Sequence, residues 1–106
     1  SRLLVVDDEV ELMQVLRKAL AAQGFEVTGL TDPREALTAV RGGGFDLLLT
    51  DLMMPPMDGI QLLKAALEID PLLTAIVMTG HGTIPTAVEA MKAGAFDYVL
   101  KPFKLQ

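Results

Sequence analysis

A chain of 106 residues, 51% of them hydrophobic, can bury one core and is too short for two, so residues 1–106 are expected to form a single domain. The net charge of −5, with nine Lys and Arg scattered along the chain, excludes the basic stripe of a nucleic-acid surface, and the lack of Cys excludes disulfides, thiolate metal sites and thiol nucleophiles. No apolar run reaches the ~18 to 20 residues that cross a bilayer, and the start SRLLVVDDE is not laid out as a signal peptide, so no membrane contact and a cytoplasmic location are expected.

Short apolar runs alternate with helical patterns. The first run, Leu3 to Val6, stops at three acids, Asp7, Asp8 and Glu9. Leu12, Met13, Val15, Leu16, Ala19 and Leu20 then follow helical spacing as far as Gly24, a residue that stops helices. A second strand is read in FEVTGL at 25–30. The next helix is announced by Asp32 as its cap, Pro33 in the first helical position and Glu35 three residues after the cap. GGG at 42–44 follows this helix and precedes the strand FDLLLT at 45–50, the reverse of the order that aims helix amides at a phosphate, so it is read as a plain turn.

Asp58 with Gln61 opens a third helix carrying Leu62, Leu63, Ala66 and Leu67, and TAIVMT at 74–79 is the fourth strand. Thr83 and Pro85 begin a fourth helix, with Ala87, Val88 and Met91 on one side and Gly94 at its close, before the fifth strand FDYVL at 96–100. Three of the five runs are continuously apolar, as strands covered on both faces must be. Parallel strands joined through helices make right-handed crossovers and a doubly wound α/β sheet, which places ligands at the strands' carboxyl ends.

The residues just past each strand are therefore the candidate site. They are Asp7, Asp8 and Glu9 after the first strand, Asp51 after the third, Thr79 closing the fourth and Lys101 after the fifth. Clustered carboxylates repel, and a cation among them relieves the repulsion. Oxygen ligands without His or Cys suit Mg²⁺, with Mn²⁺ as an alternative, and Mg²⁺ typically takes one or two carboxylates plus a phosphate oxygen. A hydroxyl from Thr79 and an ammonium from Lys101 are what a phosphoryl group needs on its other sides, with Asp51 as the nucleophile.

VVDDE, LLLTDLMMPPMDG, VMTGHG and FDYVLKPF, in this order and at these separations, resemble the receiver domains of two-component response regulators across the whole chain. The stretch from Thr79 to Phe103 is most similar to receivers of the nitrogen-regulator group, the activators that work with sigma54, which are often joined to an ATPase and a DNA-binding module. The resemblance implies a flavodoxin-like sheet of five parallel strands in the order 2-1-3-4-5. It implies that Asp51 accepts a phosphoryl group from a histidine kinase, and that Asp8, Asp51 and the backbone carbonyl of Met53 hold Mg²⁺ while Asp7 acts mostly through a water. Lys101 would pair with Asp51 or its phosphate, Thr79 would swing inward, Tyr98 matches the aromatic switch position, and Pro102 matches the family's cis proline.

Such a domain is not an enzyme acting on an external substrate. It promotes its own phosphorylation and dephosphorylation and controls an effector domain or output protein, with homodimer formation as a further expectation and no direct contact with nucleic acid. Met53 and His81 occupy the two positions that in this family tune access of hydrolytic water, and neither orients water, so a phosphorylated state of intermediate to long life is expected. Glu9 is read as a solvated residue of the first helical turn, His81 as a loop residue and the methionines as core filler. Pro55 and Pro56 stiffen the loop beside Asp51.

The family continues past KPF with a fifth helix, whereas this chain ends KPFKLQ. Loss of that cover is expected to expose the neighbourhood of Val5, Leu49 or Val99, each large aliphatic side chain being worth ~1.5 to 3 kcal/mol when buried. Rival readings are a phosphohydrolase, which wants an acid where Met53 stands; a flavin binder, whose phosphate DDEVE would repel; a hybrid kinase's receiver; and a phosphate-independent interaction module.

Overall fold

The computed structural model describes residues 1–54, 57–80 and 82–101. Five strands, β1 (Arg2–Val6), β2 (Glu26–Leu30), β3 (Leu47–Asp51), β4 (Thr74–Thr79) and β5 (Asp97–Leu100), alternate with four helices, α1 (Val10–Ala22), α2 (Pro33–Gly42), α3 (Gly59–Ile69) and α4 (Ile84–Lys92). Every pairing is parallel and the strand order is β2-β1-β3-β4-β5, the doubly wound sheet expected from the sequence. The order reverses between β1 and β3, so a crevice opens at their carboxyl ends.

Burial follows from that order. The central strands β1, β3 and β4 are almost wholly buried, and the edge strands β2 and β5 are half exposed. One face of the sheet, with Leu4, Val6, Leu48, Ala75 and Val77, packs on α2, α3 and Ala90 of α4. The other, with Leu3, Val5, Leu49 and Met78, packs on Met13, Leu16 and Leu20 of α1.

Two expectations are corrected by the structure, and one is refined. Val5 and Leu49 are buried, not exposed, in a cluster with Met13, Leu16 and Leu20 of α1, while Val27, Leu47, Ile76 and Val99 of the same cluster are left half-buried. Asp32 does cap α2, yet its carboxylate accepts from the Arg34 N–H at 2.8 Å and is gripped by the Arg34 guanidinium, so Glu35 has no part in the cap. In α4 it is Ala90 that faces the core, while Ile84, Val88 and Met91 are exposed.

Elsewhere the local signals act as read. Asp58 and Gln61 form a reciprocal capping box at the start of α3. The glycine run ends α2, and Gly43 and Gly44 take φ of 78° and 89°, values that side chains with a Cβ rarely adopt. No described helix is long and apolar enough to cross a membrane.

Candidate functional site

The sheet ladder continues one residue past several strands, and this is what assembles the site. The Asp7 N–H donates to the Leu30 carbonyl at 3.1 Å, the Leu52 N–H to the Met78 carbonyl at 2.9 Å and the Lys101 N–H to the Thr79 carbonyl at 2.7 Å. Asp7, Asp51, Thr79 and Lys101 are thereby set on one edge by backbone bonds that do not depend on their side chains. Asp7, Asp51 and Thr79 are all buried.

Lys101 reaches back over the edge. Its Nζ lies 2.8 Å from Asp7 Oδ2, 3.2 Å from Asp51 Oδ1 and 4.0 Å from Glu9 Oε1. Asp7 Oδ1 accepts from the Glu9 N–H at 2.9 Å, which turns the chain into α1, and Asp51 Oδ1 accepts from the Leu52 N–H at 3.0 Å. Asp8 is exposed, yet it completes a group with Asp7 and Asp51 in which one oxygen from each residue lies within 4.8 Å of the others.

Three carboxylates beside one ammonium leave an excess of negative charge. Burial pushes the Asp51 carboxyl above its ordinary range and the neighbouring Asp7 charge adds to this, against the opposing effect of Lys101 and the Leu52 N–H. Burial works against the Lys101 ammonium, but its hydrogen bond to Asp7 and the charges of Asp51 and Asp7 hold it above the usual lysine value. A hard divalent cation fits this donor set, since it would neutralise charge that the single lysine leaves unbalanced. Beside the carboxylates lies a cleft of about 140 Å³ lined by Glu9, Asp51, Met53, Thr79, Gly80 and Lys101.

The residues expected at the site thus come together, with differences in detail. Asp7 is a direct partner of Lys101, a contact the sequence reading did not include. Glu9, read as merely solvated, is exposed but forms part of the cleft wall, and Met53 is exposed over the same cleft. Tyr98 stands apart, half-buried on β5 with its hydroxyl 2.7 Å from Thr86 Oγ1. Pro102, His81, Pro55 and Pro56 lie outside the described residues.

Gly59 was not singled out by sequence reasoning, although it stands in the quoted motif. A Cβ there would strike the Asp51 carbonyl oxygen and lie 3.0 Å from Leu52 Cα, so only glycine lets α3 start against the backbone that carries Asp51. The Gly59 N–H seals this approach by donating to the Leu52 carbonyl at 2.7 Å.

A doubly wound sheet with acids, a threonine and a lysine at its carboxyl edge is suited to hold a divalent cation and a phosphoryl group. The response regulator receiver domain family matches residues 3–106, and the chain belongs to that family, the phosphorylation-dependent switch of two-component systems. It is similar to the regulatory protein AtoC of Escherichia coli K12, 43% identical over 105 residues, which are 99% of this chain and 23% of AtoC. It is also similar to the DNA-binding transcriptional regulator NtrC of Salmonella typhimurium LT2, 43% identical over 101 residues, 95% of this chain and 22% of NtrC. The chain therefore spans less than a quarter of these regulators.

Among solved structures, a response regulator of Burkholderia pseudomallei with a phosphorylated aspartic acid, calcium ion and citrate superposes with a TM-score of 0.93 at 30% identity, over 99% of this chain and 62% of that one. The beryllofluoride-activated NtrC4 receiver domain dimer superposes with a TM-score of 0.92 at 36% identity, over 97% of this chain and 85% of that one. Receivers of NtrC-like transcriptional regulators are thus among its relatives, as the motifs suggested.

Proposed function

We propose that Asp51 is the phosphoacceptor of this receiver and that its phosphorylation, by a histidine kinase, controls an output module. The observation that carries this is the position of Lys101 Nζ, 3.2 Å from Asp51 Oδ1 and 2.8 Å from Asp7 Oδ2, at the edge of a cleft that Thr79 also lines. Oδ1 is held by the Leu52 N–H and the ammonium, so Oδ2 is the attacking oxygen. It forms the new P–O bond as the donor's P–N bond breaks, and the electron pair and a proton remain on the donor imidazole.

Asp8, Asp51 and the Met53 carbonyl are the proposed holders of Mg²⁺ or Mn²⁺, with Asp7 acting from behind them. The bound ion supplies charge neutralisation between the carboxylates and the incoming phosphoryl group. Lys101 stays beside the transferred oxygens, and Thr79, at the rim of the cleft, turns its hydroxyl onto them. Tyr98 follows Thr79, which biases an equilibrium between two surface states.

The domain modifies itself and turns over no external substrate. The names of AtoC and NtrC support a transcriptional output, and the dimeric NtrC4 receiver supports a homodimer; the exposed Ile84, Val88 and Met91 of α4 offer apolar surface for either contact. DNA would be contacted by the output module, not by this acidic domain, and the cytoplasm is its proposed place.

The test is intact-mass measurement after incubation with acetyl phosphate and Mg²⁺. One phosphoryl group is expected on the wild type and none on Asp51→Asn. Equal uptake by both would refute the assignment.

A further inference from the structure

Tyr98 is bonded to a residue that the switch reading does not include. Its hydroxyl lies 2.7 Å from Thr86 Oγ1, and Thr86 is one half of the capping box that starts α4. The Thr83 N–H donates to Thr86 Oγ1 at 3.1 Å, the Thr86 N–H donates to Thr83 Oγ1 at 3.2 Å, and Thr86 Oγ1 lies 3.0 Å from the Thr83 carbonyl. A threonine hydroxyl has one proton and two lone pairs. Thr83 Oγ1 also lies 2.9 Å from Thr86 Oγ1, so the Thr86 hydroxyl shares its proton and lone pairs among the Thr83 carbonyl, N–H and hydroxyl and the Tyr98 hydroxyl. One hydroxyl thus serves the helix cap and the aromatic ring together.

The ring's position is shaped as well as bonded. A Cβ on Gly82 would strike Leu100 and lie 3.3 Å from Tyr98 Cε1, so the absence of a side chain at Gly82 makes room for the ring. Gly82, Thr83, Ile84, Ala87, Tyr98 and Leu100 line a cavity of about 330 Å³ on the α4 side of β5, away from the carboxylate cleft.

We infer that Thr86 is a positioning residue that latches Tyr98 against the first turn of α4 and so sets how readily the domain switches. The inference rests on the phosphoacceptor reading above. A bond made only in this arrangement favours it, and removing it shifts the equilibrium toward the state in which Tyr98 has left Thr86. The strength typical of such a bond corresponds to about a 2- to 10-fold change in the apparent affinity for anything that selects that other state.

Tyr98 is the only tyrosine and the chain has no tryptophan, so its fluorescence reports this one hydroxyl. The probe is beryllofluoride with Mg²⁺, titrated by calorimetry on wild type, Thr86→Ala, Thr86→Ser, Tyr98→Phe and the Thr86→Ala/Tyr98→Phe double variant. Thr86→Ala and Tyr98→Phe are each expected to bind about 2- to 10-fold more tightly, the double variant no more tightly than either, and Thr86→Ser like wild type. Thr86→Ala should also change the tyrosine emission of the probe-free protein.

Tyr98→Phe leaves the capping box intact, so it decides the matter even if Thr86→Ala fails to fold. A wild type that binds while Tyr98→Phe keeps the same affinity would overturn the latch alone. A wild type that binds no beryllofluoride would overturn the phosphoacceptor reading and the latch with it.

Discussion

Lys101 Nζ lies closer to Asp7, at 2.8 Å, than to Asp51, at 3.2 Å, so the buried Asp7 carboxylate is held by the same ammonium that serves the proposed phosphoacceptor. Removing that ammonium leaves the buried Asp7 carboxylate without its charge partner. Lys101→Met is therefore expected to lose about 3 kcal/mol of folding stability in metal-free buffer, the lower end of what breaking a buried pair costs. Mg²⁺ should restore more stability to the variant than it adds to wild type, because it would supply the missing charge. Urea unfolding with and without Mg²⁺ checks both points, and a loss below about 1 kcal/mol would mean that the pair is not effectively buried.

Asp51 carries a carboxyl whose affinity for protons is raised by burial and by Asp7. The folded state then binds more protons than the unfolded state in the interval above the ordinary aspartate value, so stability is fully present below that value and falls as pH rises through the folded one. Asp51→Asn removes this penalty. In metal-free buffer at neutral pH the variant is expected to be more stable than wild type, with the difference shrinking as pH falls through the carboxylate range. Thermal unfolding across pH follows it; a variant equally stable at every pH would show that Asp51 is not strained.

Gly59 lets α3 begin in contact with the backbone of Asp51. Because the obstructing atoms are backbone, Gly59→Ala must move α3 or the Asp51 turn, at a cost of about 1 to 3 kcal/mol, the range for overpacking. Phosphorylation by acetyl phosphate should slow along with the loss of stability. Unchanged stability and rate would place Gly59 outside the site's support.

The strands, their parallel arrangement and the acids, threonine and lysine at their ends were legible in the sequence because each leaves a local mark: an apolar run, a cap, a charge stopping a strand. What was not legible depended on contacts between distant segments. Glu9 reads as a solvated helix residue until Lys101 arrives from the far end of the chain at 4.0 Å. The cover over Val5 and Leu49 depends on how far α1 reaches across the sheet, which hydrophobic spacing does not report. Thr86 looks like an ordinary first-turn residue, and only the packing of β5 against α4 brings Tyr98 to it. Helical spacing groups Ala87, Val88 and Met91 on one side of α4, but the small Ala90 is what fits against the core.

Met53 is 66% exposed and lines the cleft beside Asp51, with a side chain that neither donates a proton nor orients water. The phosphorylated form is expected to last minutes or longer in Mg²⁺ buffer, and Met53→Asn, which adds a carboxamide, to shorten it by about 10-fold, less than the ~10²-fold of a positioned general base. A wild-type lifetime of seconds would show that water is already activated by another group.

The central claim is that the carboxylate of Asp51, and no other acid of the cluster, takes up the phosphoryl group with the help of a divalent ion. The most direct measurement is borohydride reduction of the protein after incubation with acetyl phosphate, which converts an acyl phosphate to an alcohol, followed by peptide mass analysis with and without Mg²⁺. The modified residue should be Asp51, and the modification should need the ion. Reduction at Asp7, Asp8 or Glu9 instead, or equal reduction at Asp51 without Mg²⁺, would contradict it.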